Sequence, residues 1–147
     1  MTDDHFSDTL AVLLPRLRHA AALQMMARAI EAATAANQPQ CITICDAGGE
    51  VIVQVRMDGA RLNALRISAV KARTAASTGT ATGADPQDVE VALAAGGLQT
   101  GLQGGLPIWI DGQLAGGIGV SSGTGEVDAA CAQAGFAGFS RLSWDAP

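Results

Sequence analysis

The stretch Gly104-Gly105-Leu106-Pro107-Ile108-Trp109-Ile110-Asp111-Gly112-Gln113-Leu114-Ala115-Gly116-Gly117-Ile118-Gly119-Val120-Ser121-Ser122-Gly123-Thr124 decides how the chain folds. Leu106 to Ile110 is apolar and partly β-branched, Asp111-Gly112 interrupts it, and the pattern resumes from Gln113 to Val120. This predicts a β-hairpin closed by a type I′ turn, whose two central residues both take positive φ, a conformation that Asp-Gly tolerates. The returning strand carries Gly116, Gly117 and Gly119. Glycine weakens a strand interior unless the missing side chain makes room for a bulge, a second backbone or a ligand. Gly104-Gly105 and Ser121-Ser122-Gly123-Thr124 flank the hairpin as loops that either carry function on a rigid scaffold or simply turn the chain.

A second hairpin precedes this one. Cys41 to Cys45 reads as a strand, Asp46-Ala47-Gly48-Gly49 as a turn, and Glu50 to Met57 as the return, with Val51, Val53, Val55 and Met57 on one face. Upstream, Ser7-Asp8 can cap a short helix over Leu10 to Leu14 that Pro15 ends, and a longer helix starts near Arg16 and runs to Asn37-Gln38-Pro39. Leu23, Ala27, Ile30 and Thr34, joined by Met26, Ala29 and Ala33, recur there at helical spacing, and Met25 and Met26 read as core. Asn63 can cap a helix to about Ser77, with Leu65, Ala69, Ala72 and Ala76 on its packing face and Arg66, Lys71 and Arg73 away from it. Asp85-Pro86 marks the start of a helix to about Ala95. Thr124 can cap a last helix, with Glu126 and Asp128 matching the positive end of its dipole and Val127, Ala130, Cys131 and Ala134 facing inward. The order contains no βαβ repeat, so the expected class is α+β, an antiparallel sheet of two hairpins with helices packed against it.

The 147 residues suit one domain, with residues 1–16 as a loose extension. Hydrophobic residues make up 48%, yet aromatic residues only 3% and Tyr none, so the core must be built from aliphatic side chains. Apolar surface left over from such a composition favours a homo-oligomer. The net charge is −5 and the basic residues form no run, which argues against a nucleic-acid partner. The first residues are acidic and no apolar run reaches the ~18 residues that span a bilayer, so a cytoplasmic protein without a membrane partner is expected. Cys41 and Cys45 would lie roughly 13 Å apart on one strand, at about 3.3 Å per residue, too far for a disulfide.

Three groups of polar residues stand out. Arg56 and Asp58 project to the same side of an extended chain, as a surface ion pair or as part of a site. Lys71-Ala72-Arg73-Thr74 sets cationic donors beside small residues, which suits either a carboxylate clamp or a solvated helix face. Gly96 to Gly105 is dense in glycine but lacks phosphate-loop spacing, so it reads as a loop that can approach a ligand or a partner chain.

In this order, Asp46-Ala47-Gly48-Gly49, Arg56-Met57-Asp58-Gly59, Lys71-Ala72-Arg73-Thr74-Ala75-Ala76 and the run from Gly104-Gly105-Leu106-Pro107-Ile108 to Asp128 resemble the GlcG/HbpS-like family, which includes the C-terminal domain of PduO-type corrinoid adenosyltransferases. The resemblance covers roughly residues 17–138. It implies a profilin-like fold, a homo-oligomer and, in several members, haem or corrinoid binding. Carried over residue by residue, it implies a pocket around Arg56, Asp58, Lys71, Thr74, Gly104, Gly105 and Pro107. His19, the one helical histidine, is the metal-ligand candidate, since haem-binding relatives use an N-terminal histidine or a threonine on iron.

Two functions follow as expectations. The first is binding of haem, a related tetrapyrrole or another anionic small molecule, with cationic groups meeting carboxylates and the glycine-rich backbone close to the ligand. The second is a cofactor-independent enzyme for a small carboxylated metabolite, with Lys71 or Asp58 moving a proton and Arg56 or Arg73 holding the carboxylate. In either case Lys71→Ala is expected to leave folding intact.

Overall fold

Asp111 and Gly112 both have positive φ, 49° and 79°, and they join strand β3 (Gly105–Ile110) to β4 (Gln113–Ser121) in the expected hairpin. The computed structural model describes residues 10–83 and 89–147. Over these the remaining elements are α1 (His19–Ala35), β1 (Cys41–Asp46), β2 (Val51–Arg56), α2 (Leu62–Thr78), α3 (Val89–Ala94), α4 (Gly125–Ala134) and β5 (Leu142–Ser143). The two hairpins join through β1 and β4, giving one antiparallel sheet in the order β2-β1-β4-β3-β5. The class is α+β as expected; the short β5, paired with Trp109 and Ile110, carries no strand pattern of its own.

Strand alternation divides the sheet into two unlike faces. Ile42, Ile44, Leu106, Ile108, Ile118 and Val120 form the large-residue face, which packs with Met25, Met26, Ala29 and Ala33 of α1 and Cys131 and Ala132 of α4. The opposite face of β4 presents Gly117 and Gly119 to α2. A Cβ at either position would overlap an α2 carbonyl oxygen, of Ala72 or of Ser68 respectively. The strand glycines therefore serve the close approach of a second backbone, and α2 meets them with its own small buried residues, Ser68, Ala72, Ala75 and Ala76. Thr43 fastens the contact from β1, its hydroxyl 2.8 Å from that of Ser68.

The helices differ from the sequence pattern in five places. Residues 11–18 are not helical, and α1 starts at His19 after an extended Arg18 that provides no side-chain cap. The buried stripe of α1 is Ala22, Met25, Met26, Ala29 and Ala33, while Leu23 stays exposed. An alanine-rich helix offers several nearly equal apolar stripes, and the sheet and α4 together select one. In α2, Lys71 belongs to the buried face. Asn63 does not cap α2, which starts at Leu62 after an extended Arg61. The buried residues of α4 are Asp128, Cys131 and Ala132, while Ala130 is exposed, because the Lys71 ammonium draws the acid inward. The Asp85-Pro86 helix start lies outside the described residues.

Gly119→Ala should cost about 3 kcal/mol or more, because the obstructing atoms are helix backbone and cannot rotate away. Gly48→Ala, whose Cβ meets only the Asp46 carboxylate at 3.3 Å, should stay within about 1 kcal/mol when both variants are compared with wild type by urea titration.

Candidate functional site

Seating α2 on the strand glycines carries Lys71 into the interior. Its side chain is 3% exposed, and the Nζ donates to the Val120 carbonyl oxygen at 2.7 Å and to Asp128 Oδ2 at 3.0 Å. Asp128, equally buried in the first turn of α4, accepts a second hydrogen bond at Oδ1 from the Gly123 N–H at 2.9 Å. Gly104 closes the other side with φ of 129°, and a Cβ there would stand 2.9 Å from Lys71 Nζ and 2.6 Å from the Val120 oxygen. Gly105 permits a similar approach to the Lys71 carbonyl and donates to the Thr82 hydroxyl at 2.8 Å. Burial holds the Lys71 ammonium below its ordinary pKa, and Asp128 works against that shift.

A cleft of about 550 Å³ opens above this ion pair. Arg61, Leu62, Asn63 and Ile67 form one wall, Leu102 and Gln103 of the glycine-rich loop another, and Ser121, Gly123 and Gly125 the remainder. Two helix N-termini meet there, that of α2 after Arg61 and that of α4 at Gly125. The positive ends of their dipoles favour an anion, and Arg61 adds a full positive charge. Arg61 also holds the end of β4, donating from its backbone N–H to Ser122 Oγ at 3.0 Å and from Nη2 to the Ser122 carbonyl at 2.8 Å.

Of the residues singled out from sequence, Lys71, Gly104 and Gly105 come together, and Lys71 is the one of the three that lines the cleft. Thr74 is buried nearby, donating to Val70 and accepting from the Thr100 N–H at 3.0 Å, so it ties the glycine-rich loop to α2. Pro107 is fully buried within β3. Arg56 and Asp58 are exposed around the end of β2 and are not among the cleft-lining residues. Arg73 lies against the β1–β2 turn, where a Cβ on Gly49 would stand 2.7 Å from its guanidinium. His19 is exposed at the start of α1. Sequence reasoning missed Arg61 and the pairing role of Asp128. The available signal for Asp128 was an acid in the first turn of a capped helix, which reads equally well as a dipole match.

A family model described as "Haem degrading protein HbpS-like" matches residues 17–137. The chain belongs to the HbpS-like family. A 15.0 kDa protein from the dhaT–dhaS intergenic region of Citrobacter freundii is 35% identical over 130 residues, covering 83% of this chain and 92% of that one. The GlcG protein of Escherichia coli K12 is 38% identical over 106 residues, covering 67% and 79%. Among solved structures, that of a PduOC:haem complex superposes with a TM-score of 0.81 at 29% identity, covering 88% of this chain and 99% of that one. This HbpS-like chain thus shares its α+β architecture with a relative solved together with haem.

Two predictions follow from the buried groups. Lys71→Met should cost about 3–5 kcal/mol by leaving Asp128 buried and unpaired, contrary to the folding-neutral outcome expected from sequence, and Lys71→Met/Asp128→Leu should recover most of that loss in urea melts. The Cys45 and Cys131 thiols are pushed up to about 12 by burial, against an ordinary 9.0. Above pH 9.0 the unfolded chain releases these protons while the folded one keeps them, so each thiol makes stability fall as pH rises. Between about pH 8 and about pH 10, the wild type should lose about 1 kcal/mol more than Cys45→Ala.

Proposed function

We propose that this chain binds haem or a related tetrapyrrole in the cleft above the Lys71–Asp128 pair. The observation that carries the reading is the meeting of Arg61 and two helix N-termini with the apolar side chains of Leu62, Ile67 and Leu102 in one opening. Carboxylates of the ligand would be drawn to the cationic end, and its ring would lie on the apolar walls. The family description and the haem complex of a solved relative support the same class of ligand.

The donor set fits the carboxylates and the ring better than it fits iron. No His, Cys or Met is among the residues lining the cleft. Burial keeps all three thiols protonated, Met25 and Met26 belong to the core, and Met57 Sδ accepts a hydrogen bond from the Gln40 N–H. His19 is the imidazole among the described residues, so an iron ligand from this chain would be His19 on an exposed surface, suited to haem shared between copies. Haem, once bound, would supply the redox-active iron. In this reading Lys71, Gly104 and Gly105 build the floor, Thr74 and Pro107 support it, and Arg56, Asp58 and Arg73 act outside the cleft. Assembly into a homo-oligomer is supported by the apolar surface of Val89, Leu93 and Leu98, exposed by 70%, 73% and 48%. Three free, buried thiols agree with a reducing, cytoplasmic setting. The small-carboxylate enzyme is the weaker reading, because Asp58 does not line the cleft and Lys71 is already bound to two acceptors.

Hemin titration tests the proposal. The wild type should give a saturable, sharpened Soret band with defined stoichiometry, Arg61→Gln should weaken binding roughly tenfold, and His19→Ala should move the band maximum. A non-saturating spectrum would remove haem from this reading. Light scattering should report a multiple of 14.8 kDa.

A further inference from the structure

Gln40, immediately before β1, is 0% exposed, and neither its Nε2 nor its Oε1 has a hydrogen-bond partner among the described residues. A buried amide left unpaired at both ends is costly and calls for an explanation. Its backbone is fully used, since Gln40 N–H donates to Met57 Sδ and its carbonyl accepts from the Met57 N–H at 3.0 Å. The amide lies directly behind Gly123, a residue of the cleft wall: a Cβ on Gly123 would stand 3.0 Å from Gln40 Nε2 and 2.9 Å from Asp128 Oδ1. The cleft-lining Gly123 thus turns the side on which a Cβ would stand toward the unpaired amide.

That backbone is strained. Ser122 has φ of 117°, a value rarely adopted by a residue with a side chain. It is held there by the two hydrogen bonds from Arg61 and a third, longer one from Gln38 Nε2 to its carbonyl at 3.3 Å. The cation offered to an incoming anion is therefore the same group that fastens the strap over Gln40.

We propose that Gln40 is a recognition residue of the cleft, reached when a ligand carboxylate draws the Arg61 guanidinium from Ser122 and the Ser122-Gly123 strap relaxes. A glutamine amide offers one donor edge and one acceptor edge, so it pairs twice with a group that sets an N–H beside a C=O. A lactam or a primary carboxamide has that edge, whereas an ionised carboxylate only accepts. An opened tetrapyrrole carries the first and a corrinoid the second. This deepens the tetrapyrrole reading and rests on it for the location of the ligand.

The test compares wild type and Gln40→Met in titrations with biliverdin, which ends in lactams, with cobyric acid, which carries carboxamides beside one free carboxylate, and with hemin, which has carboxylates but neither amide. Wild type should bind at least one of the first two, and Gln40→Met should weaken that binding roughly tenfold while changing hemin affinity less than about twofold. The arm that shows the loss identifies the source of the amide edge. Gln40→Met should also melt higher, since it removes two unpaired buried atoms, and Gln40→Leu serves as the second variant if Gln40→Met does not fold. Equal affinity in wild type and variant, an equal loss for hemin, or no binding of either amide ligand by wild type overturns the role of Gln40. Gln40-dependent binding without any hemin binding would retire haem as the ligand and leave the role of Gln40 standing.

Discussion

The close seating of α2 on Gly117 and Gly119 of β4 is the constraint on which the rest of the molecule depends. Backbone-to-backbone approach is possible only where neither surface carries bulk, and here both are small: two glycines on the strand, Ser68 and Ala72 on the helix. The opposite face of the same strand carries Ile118 and Val120 into the aliphatic core under α1 and α4. One strand thus supplies two different interfaces by alternation alone. Because α2 lies so close, the Lys71 side chain is almost wholly buried and finds its partners inside.

Asp128 and the Val120 carbonyl are those partners, and they come from different parts of the fold. The pair therefore links α2, the end of β4 and the first turn of α4. Two desolvated charges contribute little net stability even when well paired, yet losing one of them is severe. What the pair secures is position, since it fixes the middle of α2 against the end of β4 and the first turn of α4. Arg61 completes the arrangement from the edge, and by holding Ser122 it ties the cation of the cleft to the strained end of β4.

The family relationship and the local chemistry both support the proposed ligand, one that is anionic and apolar. They differ over where iron would be held. A haem-bound relative superposes along most of the chain, whereas this cleft offers cations, amides and aliphatic walls without a thiolate or imidazole. Recognition of carboxylates and ring faces is accordingly the part of haem chemistry that the cleft residues can perform by themselves.

Much of the fold was legible in the residues. Asp111-Gly112 specified a tight hairpin because few other dipeptides take two positive φ values, Asp46 to Gly49 specified the other, and Thr124 announced α4 through its cap on Val127. Composition implied an aliphatic core, and Met25 and Met26 lie in it. The family motifs pointed to Lys71, Gly104 and Gly105, which lie against one another in the fold. Periodicity could not reveal that Lys71 faces inward, because a lysine on an alanine-rich helix matches a solvated face until a buried acid is known to stand opposite. That acid lies 57 positions away in sequence. Arg61 and Gln40 were invisible for the same reason: their significance rests on Ser122, Gly123 and Asp128, which only the packing of α2 and α4 around the end of β4 brings beside them.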